Sequence, residues 1–356
     1  MEYLLRRLNI LKNDKLFKYH PKCSKLNITH LFFADDLLLF GKADIYSVAK
    51  LYGCLQEFSQ VFGLEVNPNK CSVYLSGIDE NLKQQICTLL NFSEGVLLVR
   101  YLGMPLISKR LSSLECSPMI NKITDQFQSW QKRKNLSYAG RLQLIKSVIF
   151  GVQIFWTSNY ILPMKILEKI DRLCSNFLSN HKIHLVSWET ICKDKKQGGI
   201  GVFSVRNWNL AAATKLQWLI HLKKDLLWIK WVHENYLKQH NIWHVQVRVS
   251  NSWMWKQLLK VRDILIGKFG NVSNMQNAIS KCCSGGKVFI SSIYREIAQH
   301  TPEVNWSDTV WDSWNYPQTF LCPVASYSCK AINQRQVMSY GDTGHKYMCL
   351  VFKSEQ

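Results

Sequence analysis

Leu31-Phe32-Phe33-Ala34-Asp35-Asp36-Leu37-Leu38-Leu39-Phe40 sets two adjacent carboxylates between two short apolar runs. Runs of this length with no alternation suit strands covered on both faces, and the polar pair is where the chain must turn, so the stretch reads as a β-hairpin with acids at its tip. Two carboxylates held side by side repel each other, and a divalent cation makes such a pair favourable, which suits magnesium-assisted phosphoryl transfer. Asp is also a common turn residue, so an ordinary solvated turn is the plainer reading. Two features weigh against the plain turn. It lacks the Gly or Asn that two-residue hairpins favour, and the flanking Phe32, Phe33, Leu38 and Leu39 require cover.

Downstream, Asp44 can cap a helix carrying Val48, Leu51, Leu55, Phe58 and Phe62 on one face and ending at Gly63. That helix would cover the hairpin. A strand is expected over 72–76, then a helix capped by Asp79 with Leu82, Ile86 and Leu89 aligned, then a strand over 101–106. Beyond it the pattern turns helical. Ser117 as N-cap with Pro118 opens a helix through Ile120, Ile123, Phe127 and Trp130. Ser137 opens a second through Leu142, Ile145, Ile149, Val152 and Trp156, and Pro163 a third through Ile166, Ile170, Leu173 and Phe177. Three amphipathic helices in succession predict a small bundle.

Several of these stretches together resemble the reverse transcriptases of LINE-type, non-LTR plant retrotransposons. Phe33-Ala34-Asp35-Asp36 is similar to their F/Y-A-D-D signature. Gly63 to Ser72 resembles the next palm motif, and Arg100-Tyr101-Leu102-Gly103-Met104-Pro105-Leu106 the primer grip built on Y-L-G. Leu136 to Arg141, Val186 to Glu189 and Gly198 to Gly201 resemble the thumb and post-thumb sequence of these elements. The resemblance implies an α+β fold, a partial palm followed by a mostly helical thumb and connector. Its implied parts are the palm over 1–110, the thumb over 111–180, a Trp-rich connector over 181–286 and a remnant of a zinc-binding module over 287–356. It further implies that Asp35 and Asp36 are the catalytic, Mg2+-binding carboxylates. Lys70 would lie near the incoming triphosphate, and Tyr101, Leu102 and Gly103 would position the primer end. Lys132, Arg133, Lys134, Arg141 and Lys146 would face the RNA or DNA template-primer.

The departures shape the expectation. The family's palm uses a third carboxylate and a glycine-rich loop upstream of the hairpin, whereas here only 1–30 precede it, with Met1 to Arg6 resembling the helix after that loop. Two Asp from one turn rarely supply the ligands of a two-metal site, so the chain is expected to be inactive alone. At the other end Cys349 stands where a first zinc ligand would be and Phe352 where the second would be, so no zinc is expected. The alternatives are a non-catalytic basic nucleic-acid-binding protein, or a decayed element.

Composition agrees with a globular chain of two or three substructures: 356 residues, 47% hydrophobic and 20% charged. A formal net charge of +20 favours an anionic partner, with clusters at Lys132 to Lys134 and Lys193 to Lys196. Twelve scattered cysteines read as reduced thiols rather than a disulfide framework. With no secretory segment and no membrane-length apolar run, an intracellular protein of nucleus or cytoplasm is expected. Most of the tryptophans after residue 180 are expected in cores, and Gly198-Gly199-Ile200-Gly201 as a turn, since it lacks Walker spacing.

Overall fold

The computed structural model describes residues 2–34, 36–64, 66–95, 100–107, 110–132, 136–180, 186–298 and 301–310. It is an α+β chain in two compact units: 1–110 with 222–253, and the described part of 111–221 with 254–344.

The first unit opens with α1 (Glu2–Ile10), whose Leu4 and Leu8 are buried. β1 (His30–Phe33) and β2 (Asp36–Leu39) pair antiparallel, His30 opposite Leu39 and Phe33 opposite Asp36. α2 (Ile45–Phe62) comes next with both expected caps: Asp44 Oδ1 accepts from the Ser47 N–H, and Gly63 takes the left-handed position at φ 65°. Its Leu51, Leu55 and Phe58 join Leu4, Leu8 and Leu39 in one cluster, so the helix does cover the hairpin. Phe62, one turn beyond Phe58 on the same face, meets the Phe58 and Tyr3 rings at 4.9 and 5.6 Å but stays 50% exposed at the helix end. The next strand is shorter than expected. β3 is only Ser72–Val73, and it pairs parallel with β4 (Ser93–Glu94) across α3 (Glu80–Leu90). Asp79 caps α3 as the sequence suggests, but Leu90 rather than Leu89 turns inward beside Ile86.

The expected strand over 101–106 is a hairpin. Leu102 and Gly103 both take positive φ, 51° and 77°, and fold β6 (Met104–Pro105) back on β5 (Arg100–Tyr101).

In the second unit α4 (Ser117–Gln131) buries Ile120, Ile123, Phe127 and Trp130. Ser117 is not its cap. The turn before it is already helical at Cys116, the Ile120 N–H reaches the Cys116 carbonyl, and the Ser117 hydroxyl donates back to Leu114 at 2.7 Å. Ser137 does cap, accepting from the Gly140 N–H, and opens α5 (Tyr138–Leu144), a π-turn over Ile145–Ile149 and α6 (Phe150–Thr157). α7 (Met164–Ser179) starts after Pro163 and stacks Phe177 on Phe127 at 4.4 Å. The chain then forms α8 (Trp188–Ile191), a 3-10 turn at Lys195–Gln197 and α9 (Val205–His221).

Residues 222–253, with α10 (Leu227–Val232), belong to the first unit. Lys25 Nζ lies 3.3 Å from a Glu234 carboxylate oxygen, and the Asn235 amide donates to the Lys22 carbonyl at 3.1 Å. After them come α11 (Trp253–Phe269), α12 (Val272–Lys281), the β7–β8 hairpin (Cys283–Ser284 with Lys287–Val288), α13 (Ile290–Ile297) and α14 (Ser307–Val310). Trp208, Trp218, Trp243 and Trp255 are buried, as expected, while Trp228 is 38% exposed. Among the described residues no helix is long and apolar enough to cross a membrane. Cys322, Cys329, His345, Cys349 and Phe352 lie outside the described residues.

Candidate functional site

The acidic hairpin turns one residue earlier than its sequence suggests. Because Phe33 pairs with Asp36, the two loop positions are 34 and 35, and Ala34 takes φ 53°. Asp36 is therefore not at the tip. It is the first residue of β2, only 9% exposed, while Asp35 lies outside the described residues. The expected cover on both faces is also incomplete: β2 is buried, but Leu31 and Phe33 of β1 are 37% and 58% exposed.

A cluster beneath the acid brings separate motifs together. Leu38 and Phe40, two and four residues beyond Asp36, pack with Cys23 and Tyr74, and Tyr101 and Leu106 of the second hairpin close against the same group. Tyr101 is near enough to feel the carboxylate. Its phenol is pushed above the ordinary value first by burial and then by the charge of Asp36. Beside it Leu102, a bulky residue in the left-handed region, and Gly103 form the hairpin tip. Lys70 sits exposed on the 3-10 turn Pro68–Lys70, which leads through β3 to Tyr74. Tyr101 and Tyr74, the latter just beyond the strand after Lys70, thus share one apolar cluster with Leu38 of the strand that Asp36 begins. Among the described residues no three His, Cys, Asp or Glu side chains stand close enough to hold a metal ion. Asp36 by itself does not make a magnesium site.

The basic residues of the second unit behave differently from one another. Lys132 is exposed at the end of α4, and Arg133 and Lys134 lie outside the described residues. Arg141 is partly buried beside Tyr138. Its Nε is enclosed with no hydrogen-bond partner among the described residues, and burial lowers the pKa of its guanidinium. Lys146 turns its ammonium onto the Ile200 carbonyl at 3.3 Å. Of these three described residues, Lys132 is the one whose charge lies in solvent.

The turn that Lys146 reaches is the glycine stretch. Gly198 and Gly201 have φ 81° and 66°, and a Cβ on Gly199 would collide with the Lys193 carbonyl. The N–H groups of Gly199 and Gly201 go to the carbonyls of Asp194 and Lys193, both at 2.9 Å. It is a turn, as expected. Nothing in the sequence signals that the Ile200 carbonyl would meet Lys146, 54 residues earlier. Equally hidden is Asp171 on α7, whose carboxylate accepts from the Trp188 indole N–H at 2.7 Å and whose pKa burial pushes up to about 6.

No protein-family model matches the chain. A 138-residue stretch is 32% identical to an Arabidopsis thaliana protein named as a ribonuclease H protein, covering 37% of this chain and 22% of that one. The chain therefore spans less than a quarter of the length of the curated relative it matches.

Proposed function

We propose that this chain is part of an RNA-directed DNA polymerase of a LINE-type retroelement, and that its own share is to hold the template-primer. The observation that carries the reading is the meeting of Asp36 and Tyr101. These two residues, far apart in sequence, sit on separate tight hairpins: Tyr101 packs with Tyr74 and with Leu38, two residues beyond Asp36, and its phenol feels the charge of Asp36. A carboxylate beside a primer-positioning tip is the arrangement a polymerase needs where the primer end meets the metal ions. In this reading Asp35 and Asp36 are magnesium ligands in the complete enzyme, Lys70 lies toward the triphosphate, and Tyr101, Leu102 and Gly103 set the primer end. The net charge of +20 suits a phosphate backbone. Similarity to a protein named as a ribonuclease H protein agrees with nucleic-acid processing and does not reach polymerase chemistry.

The test uses the purified chain with a primed RNA template, magnesium and deoxynucleotides. Binding without extension is expected, and Asp36→Ala should leave that binding unchanged. Extension abolished by Asp36→Ala would mean that the chain carries a complete catalytic centre. Failure to bind any primed template at low salt would remove the reading altogether.

A further inference from the structure

Two stretches of the first unit, 14–18 and 42–50, meet at the start of α2. The Asp14 carboxylate fixes a turn by accepting from the Leu16 N–H at 2.9 Å, and its other oxygen accepts from the Tyr46 hydroxyl at 2.9 Å. Phe17 anchors that turn from below, buried in the cluster with Leu51 and Leu55 of α2. Lys18 comes next. Its N–H donates to the Ser47 hydroxyl and its carbonyl accepts from the Lys42 N–H, both at 2.9 Å. One turn along α2, the Lys50 ammonium lies over the Tyr46 ring, 5.4 Å from the ring centroid.

These bonds gather Lys15, Lys18, Lys42 and Lys50, all exposed, around one point of the surface. The acids of the two stretches are Asp14 and Asp44, and both are engaged: Asp14 holds the turn, and Asp44 caps α2 by accepting from the Ser47 N–H. Positive charge therefore exceeds negative at this place. Among the charged groups stands an aromatic ring. Tyr46 is 38% exposed with its hydroxyl tied to Asp14, and Leu16 beside it is exposed as well. A ring held in place between ammonium groups suits a strand that offers both an unstacked base and phosphates. A duplex keeps its bases stacked on one another and presents only the phosphates. The exposed contact of Lys50 with the ring is weak and gives way to a base and its phosphate.

We propose that Tyr46, with Lys15, Lys18, Lys42 and Lys50 around it, forms a docking surface for an unpaired strand of nucleic acid, one base on the Tyr46 ring and the neighbouring phosphates on the lysines. The proposal rests on the template-primer reading above and gives that reading a surface at the start of α2.

The experiment measures the affinity of the full-length chain for a short fluorescent single strand across salt, and for a primed template. Its variants are Tyr46→Leu, Tyr46→Phe and the double Lys18→Gln/Lys42→Gln, with Lys260→Gln, exposed on α11, as the control. Tyr46→Leu should weaken single-strand binding by about tenfold, the loss of one stacked base, with the salt slope unchanged. Tyr46→Phe keeps the ring and should bind close to wild type. The double lysine variant should flatten the log-log salt slope by at least about 0.7, one phosphate of a single strand, while Lys260→Gln leaves it alone. Lys18 and Lys42 serve the fold through their backbones, so this variant keeps the test open if Tyr46→Leu folds poorly. Wild-type affinity in Tyr46→Leu, or an unchanged slope in the double variant, would overturn the surface. An equal loss in Tyr46→Phe and Tyr46→Leu would assign the effect to the bond with Asp14 and overturn the stack. A wild type that binds the primed template but not the single strand overturns the surface alone. If it binds the single strand through these residues but not the primed template, the surface stands and the template-primer reading fails, and binding of neither removes both.

Discussion

Leu102 and Ala34 hold φ of 51° and 53°, where side chains other than glycine cost about 1 kcal/mol or more. Each forms the tip of a hairpin that frames Asp36 or Tyr101, so backbone strain gathers where the proposed chemistry would be. The sequence singled out Asp36 and Tyr101 as candidates. It did not show which residue turns, because a two-residue hairpin without Gly or Asn at the first position gives no local signal. Asp171 is a second residue with a cost. Its carboxyl sits between Trp188 and the charges of Arg206, Glu189 and Glu168, and burial raises its pKa from 3.8 to about 6. The folded state therefore holds this proton more tightly than the unfolded chain does. The stability it contributes is full below about pH 4 and is lost as pH rises through 6. Asp171→Asn keeps an acceptor for the indole and removes the titration. The difference in melting temperature between variant and wild type should widen in favour of the variant from pH 4 to 7 and be flat above. A difference independent of pH would show that Asp171 titrates as an ordinary carboxyl.

Secondary structure was most legible where one side chain decides an end. Asp44, Asp79 and Ser137 each accept from an N–H three residues on, and those helices begin where the sequence places them. Ser117 failed as a cap because Ser112 and Glu115 already wind the chain: the Ser112 N–H donates to the Glu115 carboxylate at 2.7 Å and the turn continues into α4. The π-turn inside Tyr138–Thr157 was not legible either, since its apolar spacing fits an unbroken helix. The Gly198–Gly201 turn shows what such an element requires. Gly199 has the Lys193 carbonyl where a Cβ would be, and backbone cannot swing aside as a side-chain end can. Gly199→Ala should cost about 2–3 kcal/mol, whereas Gly267→Ala, whose added Cβ meets nothing inside α11, should stabilise by about 0.5–1 kcal/mol. Thermal or urea denaturation reads the difference. Equal stability of the two variants would mean that the turn is loose.

At the scale of the whole chain, helix order and the bundle around Phe127 and Phe177 followed from periodicity, but the membership of 222–253 in the first unit did not. Contacts such as Lys25 with Glu234 and Asn235 with the Lys22 carbonyl join segments with no shared local pattern, and exposed ion pairs of this kind contribute little to stability. Excess positive charge is a property of the whole sequence. A net charge of +20 makes the folded chain repel itself at low ionic strength, where screening reaches about 10 Å only near 0.1 M salt. A polyanion that binds the folded state relieves that repulsion and stabilises by mass action, and the same salt that screens the repulsion weakens the binding. Two melting curves should therefore respond to salt in opposite ways. Without nucleic acid the melting temperature should rise from about 50 mM to 0.5 M salt as screening takes effect. With a short duplex present it should be raised at the low-salt end and converge on the unliganded value at the high-salt end. Differential scanning fluorimetry of the full chain, with and without duplex at matched salt, reads both. A duplex effect that persists undiminished at high salt would point to stacking or base contacts rather than phosphate. A melting temperature that falls with added salt would mean that the surface ion pairs outweigh the excess positive charge.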